Sequence, residues 1–167
     1  MKHEWHTIGI HLGYRYDESP VIVPDGTPVP PMSVATYEPT TRPGARAPHA
    51  WLPGGRSTLD LFGTGFVLLD FGNDPAACAA LEAAAAAGGL PLQTVSIDDE
   101  AIRTLYECRF VLVRPDGHVA WRSDEPPPEA QEVIDTVRGV RPSITQTGHA
   151  HTQEEARAPR SARRQGF

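Results

Sequence analysis

Apolar residues follow three different rhythms along this chain. Phe66-Val67-Leu68-Leu69-Asp70-Phe71 is almost unbroken, which predicts a central strand buried on both faces. Leu92 to Ile97 predicts a second strand. Phe110–Val113 and Val119–Trp121 flank Pro115-Asp116-Gly117, a turn sequence that predicts an antiparallel hairpin. Elsewhere the spacing is helical. Ala130, Val133, Ile134 and Val137 share one face of a helix opened by Pro126-Pro127-Pro128 and closed by Gly139. Ala76–Ala87 is rich in alanine, so it favours a helix and presents a thin side to a sheet. Asn73 or Asp74 can cap that helix, Pro75 suits its first turn, and Gly88-Gly89 ends it. A short helical turn fits 101–106. The third rhythm is alternation. Ile8, Ile10, Leu12, Tyr14 and Tyr16 predict a half-buried strand, Thr58–Leu61 an edge strand, and Val21–Val23 a short one.

From residue 57 the order is strand, strand, helix, strand, short helix, strand, strand, helix. A β-α-β unit followed by a hairpin and a helix is the plan of a thioredoxin-like α/β fold: a mixed sheet flanked by helices. We expect three parts. Residues 1–56 form an N-terminal strand and an extended arm, 57–140 the thioredoxin-like domain, and 141–167 a disordered basic tail.

Proline changes the reading of the arm. Of 17 prolines, nine lie between Pro20 and Pro53, which forbids a helix there and makes a poor central strand. Pro24-Asp25-Gly26 is a turn. The remainder is expected to be extended, to lie on the domain or a partner, and to bury Trp51. A loop this long in a compact domain generally has a task.

Charge narrows the partners. Residues 1–140 carry 10 basic and 19 acidic side chains, and residues 141–167 carry 5 Arg and 2 Glu. An acidic body argues against nucleic-acid binding, and the basic tail reads as a solvated segment. Met-Lys-His-Glu-Trp-His at the start has no apolar core of a signal peptide, and no run approaches the ~20 apolar residues of a membrane span. A cytoplasmic protein with reduced Cys78 and Cys108 is expected.

Candidate chemistry is sparse. Gly63-Thr64-Gly65 precedes a strand, whereas a dinucleotide fingerprint follows one and opens a helix. A redox thioredoxin needs Cys-x-x-Cys at the start of its first long helix. The sequence there is Gly72-Asn73-Asp74-Pro75-Ala76-Ala77-Cys78, with one thiol, best read as a small buried side chain. His3 with His6, and His149 with His151, lack further ligands for zinc. Asp98-Asp99-Glu100 fits a helix start. Ser57 lies in no nucleophile elbow. Neither a catalytic nor a metal residue is assigned. Arg42, Arg46, His49 and Trp51 are the candidate interaction residues. Arg42, Arg46 and His49 either meet an acidic partner surface or pair with acids of the same domain, such as Asp60 or Asp70. Trp51 and Trp121 serve as core or interface anchors.

Five segments in order carry a resemblance. They are Leu12-Gly13-Tyr14-Arg15-Tyr16; Val23-Pro24-Asp25-Gly26; Tyr37 through Arg42-Pro43-Gly44-Ala45-Arg46-Ala47-Pro48-His49; Ser57-Thr58-Leu59-Asp60-Leu61-Phe62-Gly63; and Leu112 through Arg114-Pro115-Asp116-Gly117-His118 to Arg122. Together, over residues from about 7 to 140, the chain resembles the C-terminal region of FAD-dependent aromatic hydroxylases, the group A flavoprotein monooxygenases acting on phenols and polyketides. The resemblance implies a thioredoxin-like domain tied by its arm to a catalytic body that uses FAD and NAD(P)H. The family's flavin-binding turn has no counterpart here, so no cofactor is assigned to this chain itself. The expected role is structural and interaction-bearing, not catalytic. The partner would be the flavin-binding domain or subunit, or a second copy. The alternative is a stand-alone thioredoxin-like binding module without redox activity.

Overall fold

The computed structural model describes residues 8–31 and 33–140. Its elements are α1 (Ile8–Leu12), β1 (Phe66–Asp70), α2 (Pro75–Gly88), β2 (Leu92–Ser96), α3 (Glu100–Tyr106), β3 (Phe110–Val113), β4 (Val119–Ser123) and α4 (Ala130–Val137). The sheet order is β2-β1-β3-β4. β1 runs parallel to β2, from Phe66 opposite Leu92 to Asp70 opposite Ser96, and antiparallel to β3. β3 and β4 form the expected hairpin, with Gly117 at φ 79° in its turn and a register shift between Leu112 and Val113.

The two faces of β1 separate the core. Leu68, with Phe110 and Leu112, packs beneath α2 and α4 against Cys78, Leu81, Val133, Ile134 and Val137. Each fully buried Leu or Phe there contributes about 2–3 kcal/mol of apolar burial. Val67, Leu69, Val111 and Val113 point the other way, to Ile102 and Tyr106 of α3 and to Ala47 of the arm. Asp74 caps α2 by accepting from the Ala77 amide at 3.2 Å, and Gly89 ends it in the left-handed region. The anticipated face of α4 is buried, although the helix starts at Ala130, two residues after the prolines.

Three alternating segments are not strands. Ile8–Leu12 is one helical turn, α1, whose Gly9 amide donates to the Val34 carbonyl at 3.2 Å. Val21–Val23 makes no strand, although Ile22 is buried and the Val23 amide donates to Ala120 O at 2.8 Å. Alternation becomes a strand only where an edge offers a ladder. The β4 edge is already engaged: the Gly44 amide donates to Val119 O, Val119 to Ala45 O, and Ala47 to Gly117 O, at 2.8–2.9 Å. Thr58–Leu61 is a 3-10 turn. The Ser57 hydroxyl accepts from the Leu59 amide at 3.0 Å, and Asp60 accepts from the Ser57 amide at 2.9 Å. Those local side-chain bonds hold the turn against extension.

Between α1 and the 3-10 turn the described chain has turns, bends and isolated bridges, Arg46 to His118 and Trp51 to Ser57. The expected tail, with His149 and His151, and the residues His3 and His6 lie outside the described residues.

Candidate interaction surface

The proline-rich segment is held by a chain of ion pairs. Arg15 Nε lies 3.3 Å from Asp17 Oδ2, Arg42 Nε 3.5 Å from Asp17 Oδ1, and Arg42 Nη1 3.7 Å from Asp25 Oδ1. Asp25 Oδ2 accepts from Arg122 Nε at 2.7 Å, and Arg122 also bonds Glu107. Arg122 Nη1 donates to Thr41 Oγ1 at 3.1 Å, and Thr41 donates to the Tyr106 carbonyl at 2.5 Å. Burial would raise the Asp25 carboxyl. Hydrogen bonds from the Thr27 hydroxyl and amide and the Arg122 guanidinium outweigh it, lowering the pKa to about 2. A guanidinium shared between two carboxylates keeps few of its donors unsatisfied, which is what makes a desolvated ion pair tolerable.

A second clamp holds residues 48–50. The phenol of Tyr106 donates to Pro48 O at 2.7 Å, and the Thr58 hydroxyl donates to the same oxygen at 3.0 Å. Burial pushes the Tyr106 phenol up to about 12, with the Thr58 hydrogen bond opposing. At the crossing of the arm with itself, the Tyr16 amide donates to Gly44 O at 2.9 Å. Gly44 has φ 92°, and a Cβ there would lie 2.9 Å from the Tyr16 backbone, so glycine is required on both counts.

The four candidate residues part company. Arg42 turns inward, pairing with Asp17 and Asp25 and donating to Thr27 O at 2.6 Å and Pro28 O at 3.1 Å. Its acids are therefore not Asp60 or Asp70: Asp60 caps the 3-10 turn, and fully buried Asp70 accepts from the Gly72 and Asp74 amides, both at 2.8 Å. Arg46 is exposed and has no ion pair among the described residues. His49 is exposed and meets Trp51 edge-to-face at 4.8 Å. Trp51 is 68% exposed instead of buried. Its neighbour Leu52 is half-buried and packs against the second core cluster, while the Trp51 backbone bridges Ser57. Trp121 is a core residue, 6% exposed.

Sequence reasoning missed a groove of about 260 Å³ between α1 with residues 13–15 and residues 30–40. Leu12, Tyr14, Pro30, Pro31 and Pro39 supply apolar walls, half-buried Tyr37 backs it, and Arg46, Glu38 and Glu107 bring charge. The Tyr37 phenol is raised by burial, with Arg46 opposing. Two of its lining residues, Leu12 and Tyr14, belong to the alternating run that begins at Ile8. It was read as a strand face, and the partner wall across the loop cannot be seen without the fold.

The end of β1 is where redox members of this fold work. Here Cys78 and Cys108 are free thiols. Burial first, then Asp70 and Glu82, push the Cys78 thiol up to about 11, the wrong direction for a thiolate nucleophile. Arg109 stands just before β3, its Nη2 2.9 Å from Asp74 Oδ2 and its guanidinium over the Phe110 ring at 4.7 Å. The same turn does not fit a flavin pyrophosphate. The backbone amides of Gly72, Asp74 and Ala77, the donors a phosphate would use, are taken by the carboxylates of Asp70 and Asp74. Among the described residues no cluster of three or more metal-binding side chains forms, and no helix is long and apolar enough to cross a membrane.

Sheet order, crossover and the helix pair define a thioredoxin-like domain that lacks the dithiol and carries its own N-terminal segment along the β4 edge. Residues 40–141 match the aromatic-ring hydroxylase C-terminal domain, and the chain belongs to that family. It is 37% identical over 140 residues to aklavinone 12-hydroxylase RdmE of Streptomyces purpurascens, covering 75% of this chain and 25% of that protein. It is 39% identical over 132 residues to the FAD-dependent monooxygenase apdD of Emericella nidulans, covering 73% and 21%. The solved flavin-dependent monooxygenase PieE, in complex with FAD and substrate, superposes with a TM-score of 0.73 at 36% identity, covering 81% of this chain and 27% of that one. The chain thus spans about a fifth to a quarter of the length of these relatives.

Proposed function

We propose that this chain is the C-terminal structural and interaction module of an aromatic-ring monooxygenase, not active alone. The complete protein would use FAD, NAD(P)H and O₂ to hydroxylate an aromatic ring, with the flavin carrying the oxygen chemistry. The observation that carries this reading is a family-defining domain whose redox turn is filled by Asp70, Asp74 and Arg109 and whose amides are closed to a phosphate. Such a domain contributes surface and stability to a partner, the flavin-binding catalytic domain or subunit. Arg46, His49 and Trp51 are the candidate residues that remain outward-facing; Arg42 acts within the chain.

Exchanging the matched region of the S. purpurascens hydroxylase for this chain tests the reading. A soluble, FAD-loaded chimera is expected, while the 167-residue chain alone leaves flavin fluorescence unchanged. A chimera that cannot retain FAD, or a chain that binds FAD at micromolar concentration by itself, would favour an independent binding module.

A further inference from the structure

We infer that the groove between α1 and residues 30–40 is the seat of the flavin-binding body, an inference that rests on the function proposed above. Leu12, Tyr14 and Val34 expose 41%, 52% and 55% of their surface around it. Grouped exposed apolar side chains of this kind mark contact sites. Its walls are nonetheless fixed: Gly9 N–H donates to Val34 O, Arg15 Nη2 to Pro30 O at 2.6 Å, and Tyr14 meets Tyr16 edge-to-face at 4.9 Å. A groove held open by its own hydrogen bonds loses little entropy when filled.

The relatives indicate the occupant. Most of the lining lies before residue 40, outside the matched domain. Similarity to solved relatives still covers 80–82% of the chain, more than residues 40–141 can supply. In proteins about four times as long whose C-terminal region this is, the preceding polypeptide leads into α1, whose last residue, Leu12, begins one wall of the groove. Charge refines the partner chemistry. Arg46 and Glu38 both stand at the groove without an ion pair among the described residues, so the seated segment is apolar and carries a carboxylate for Arg46 and a hydrogen-bond donor for Glu38.

Co-expression tests this with the full 167-residue chain and the upstream portion of the S. purpurascens hydroxylase, the part this chain does not match. Native chain, Leu12→Asp/Tyr14→Asp, Arg46→Glu, and Ala83→Lys on the outward face of α2 are compared for co-purified yellow flavoprotein. Circular dichroism and melting of each chain alone show that the variants fold. The native and Ala83→Lys chains should co-purify with flavin. The double variant should lose about tenfold or more of it at unchanged melting temperature, and Arg46→Glu several-fold. Full capture by a folded double variant would overturn the inference and leave the proposed function standing. No capture by the native chain would overturn both. A native chain that is dimeric in light scattering and becomes monomeric in the double variant, with flavoprotein capture unaffected, would give the groove to a second copy instead.

Discussion

Asp25→Asn should loosen the proline-rich segment from the domain, and its size can be worked from the geometry. Asp25 accepts from Arg122 at 2.7 Å and from the Thr27 amide at 3.0 Å, and lies 3.7 Å from Arg42. A carboxyl lowered from 3.8 to about 2 is stabilised by about 2 kcal/mol at 1.36 kcal/mol per unit. Arg122 keeps Glu107 as a second acid, so the loss stays below the ~3–5 kcal/mol of a fully stranded buried charge. We expect about 1–2 kcal/mol near pH 7, or about 3–8 °C in melting temperature for a chain of this size. The pH dependence has a definite sign. A folded pKa below the unfolded one gives stability that is complete above pH 3.8 and lost as pH falls toward about 2. Native protein should therefore lose stability across that window more steeply than Asp25→Asn, and the two melting curves should converge at low pH. Limited proteolysis should cut the variant within residues 26–40 sooner. Equal melting temperatures at pH 7, or parallel pH profiles, would refute the reasoning.

Gly44→Ala should cost at least ~1–2 kcal/mol, because the new methyl meets the Tyr16 backbone at a positive φ; chemical denaturation measures it, and a neutral result would mean the crossing is slack. Ser57→Ala should cost about 1 kcal/mol through loss of the cap, with Asp60→Ala similar; strongly non-additive loss in the double variant would show one shared motif. At pH 8, half-buried Cys108 should react with a thiol reagent before Cys78, which should react only on unfolding; rapid labelling of Cys78 in native protein would contradict its burial. The chain should not reduce insulin, and turnover would show that Cys78 or Cys108 is catalytic.

The four strands of the sheet, both long helices and the hairpin were legible in the sequence, because each is specified by neighbours; their order across the sheet, β2-β1-β3-β4, came from the structure. Phe66–Phe71 can only be a doubly covered strand, Asp74-Pro75 and Gly89 punctuate an alanine helix, and Pro115-Asp116-Gly117 permits one kind of turn. The capping box of Ser57 and Asp60 was missed, because alternation over Thr58–Leu61 suggested an edge strand. What only the tertiary structure decided depends on partners distant in sequence. The β4 edge went to Gly44–Ala47, while Ile8–Leu12 is a helical turn and Val21–Val23 keeps a single bond to that edge. Arg42 found Asp17 and Asp25 although they lie 25 and 17 residues before it in the chain, and Arg122 joins the same network from 97 residues away. Trp51 faces outward while Leu52, one residue on, is the half-buried side chain that packs against the second core cluster. Local rules determine which backbone a segment prefers; which side chains meet across the arm is set by loop closure and packing, which no local pattern contains.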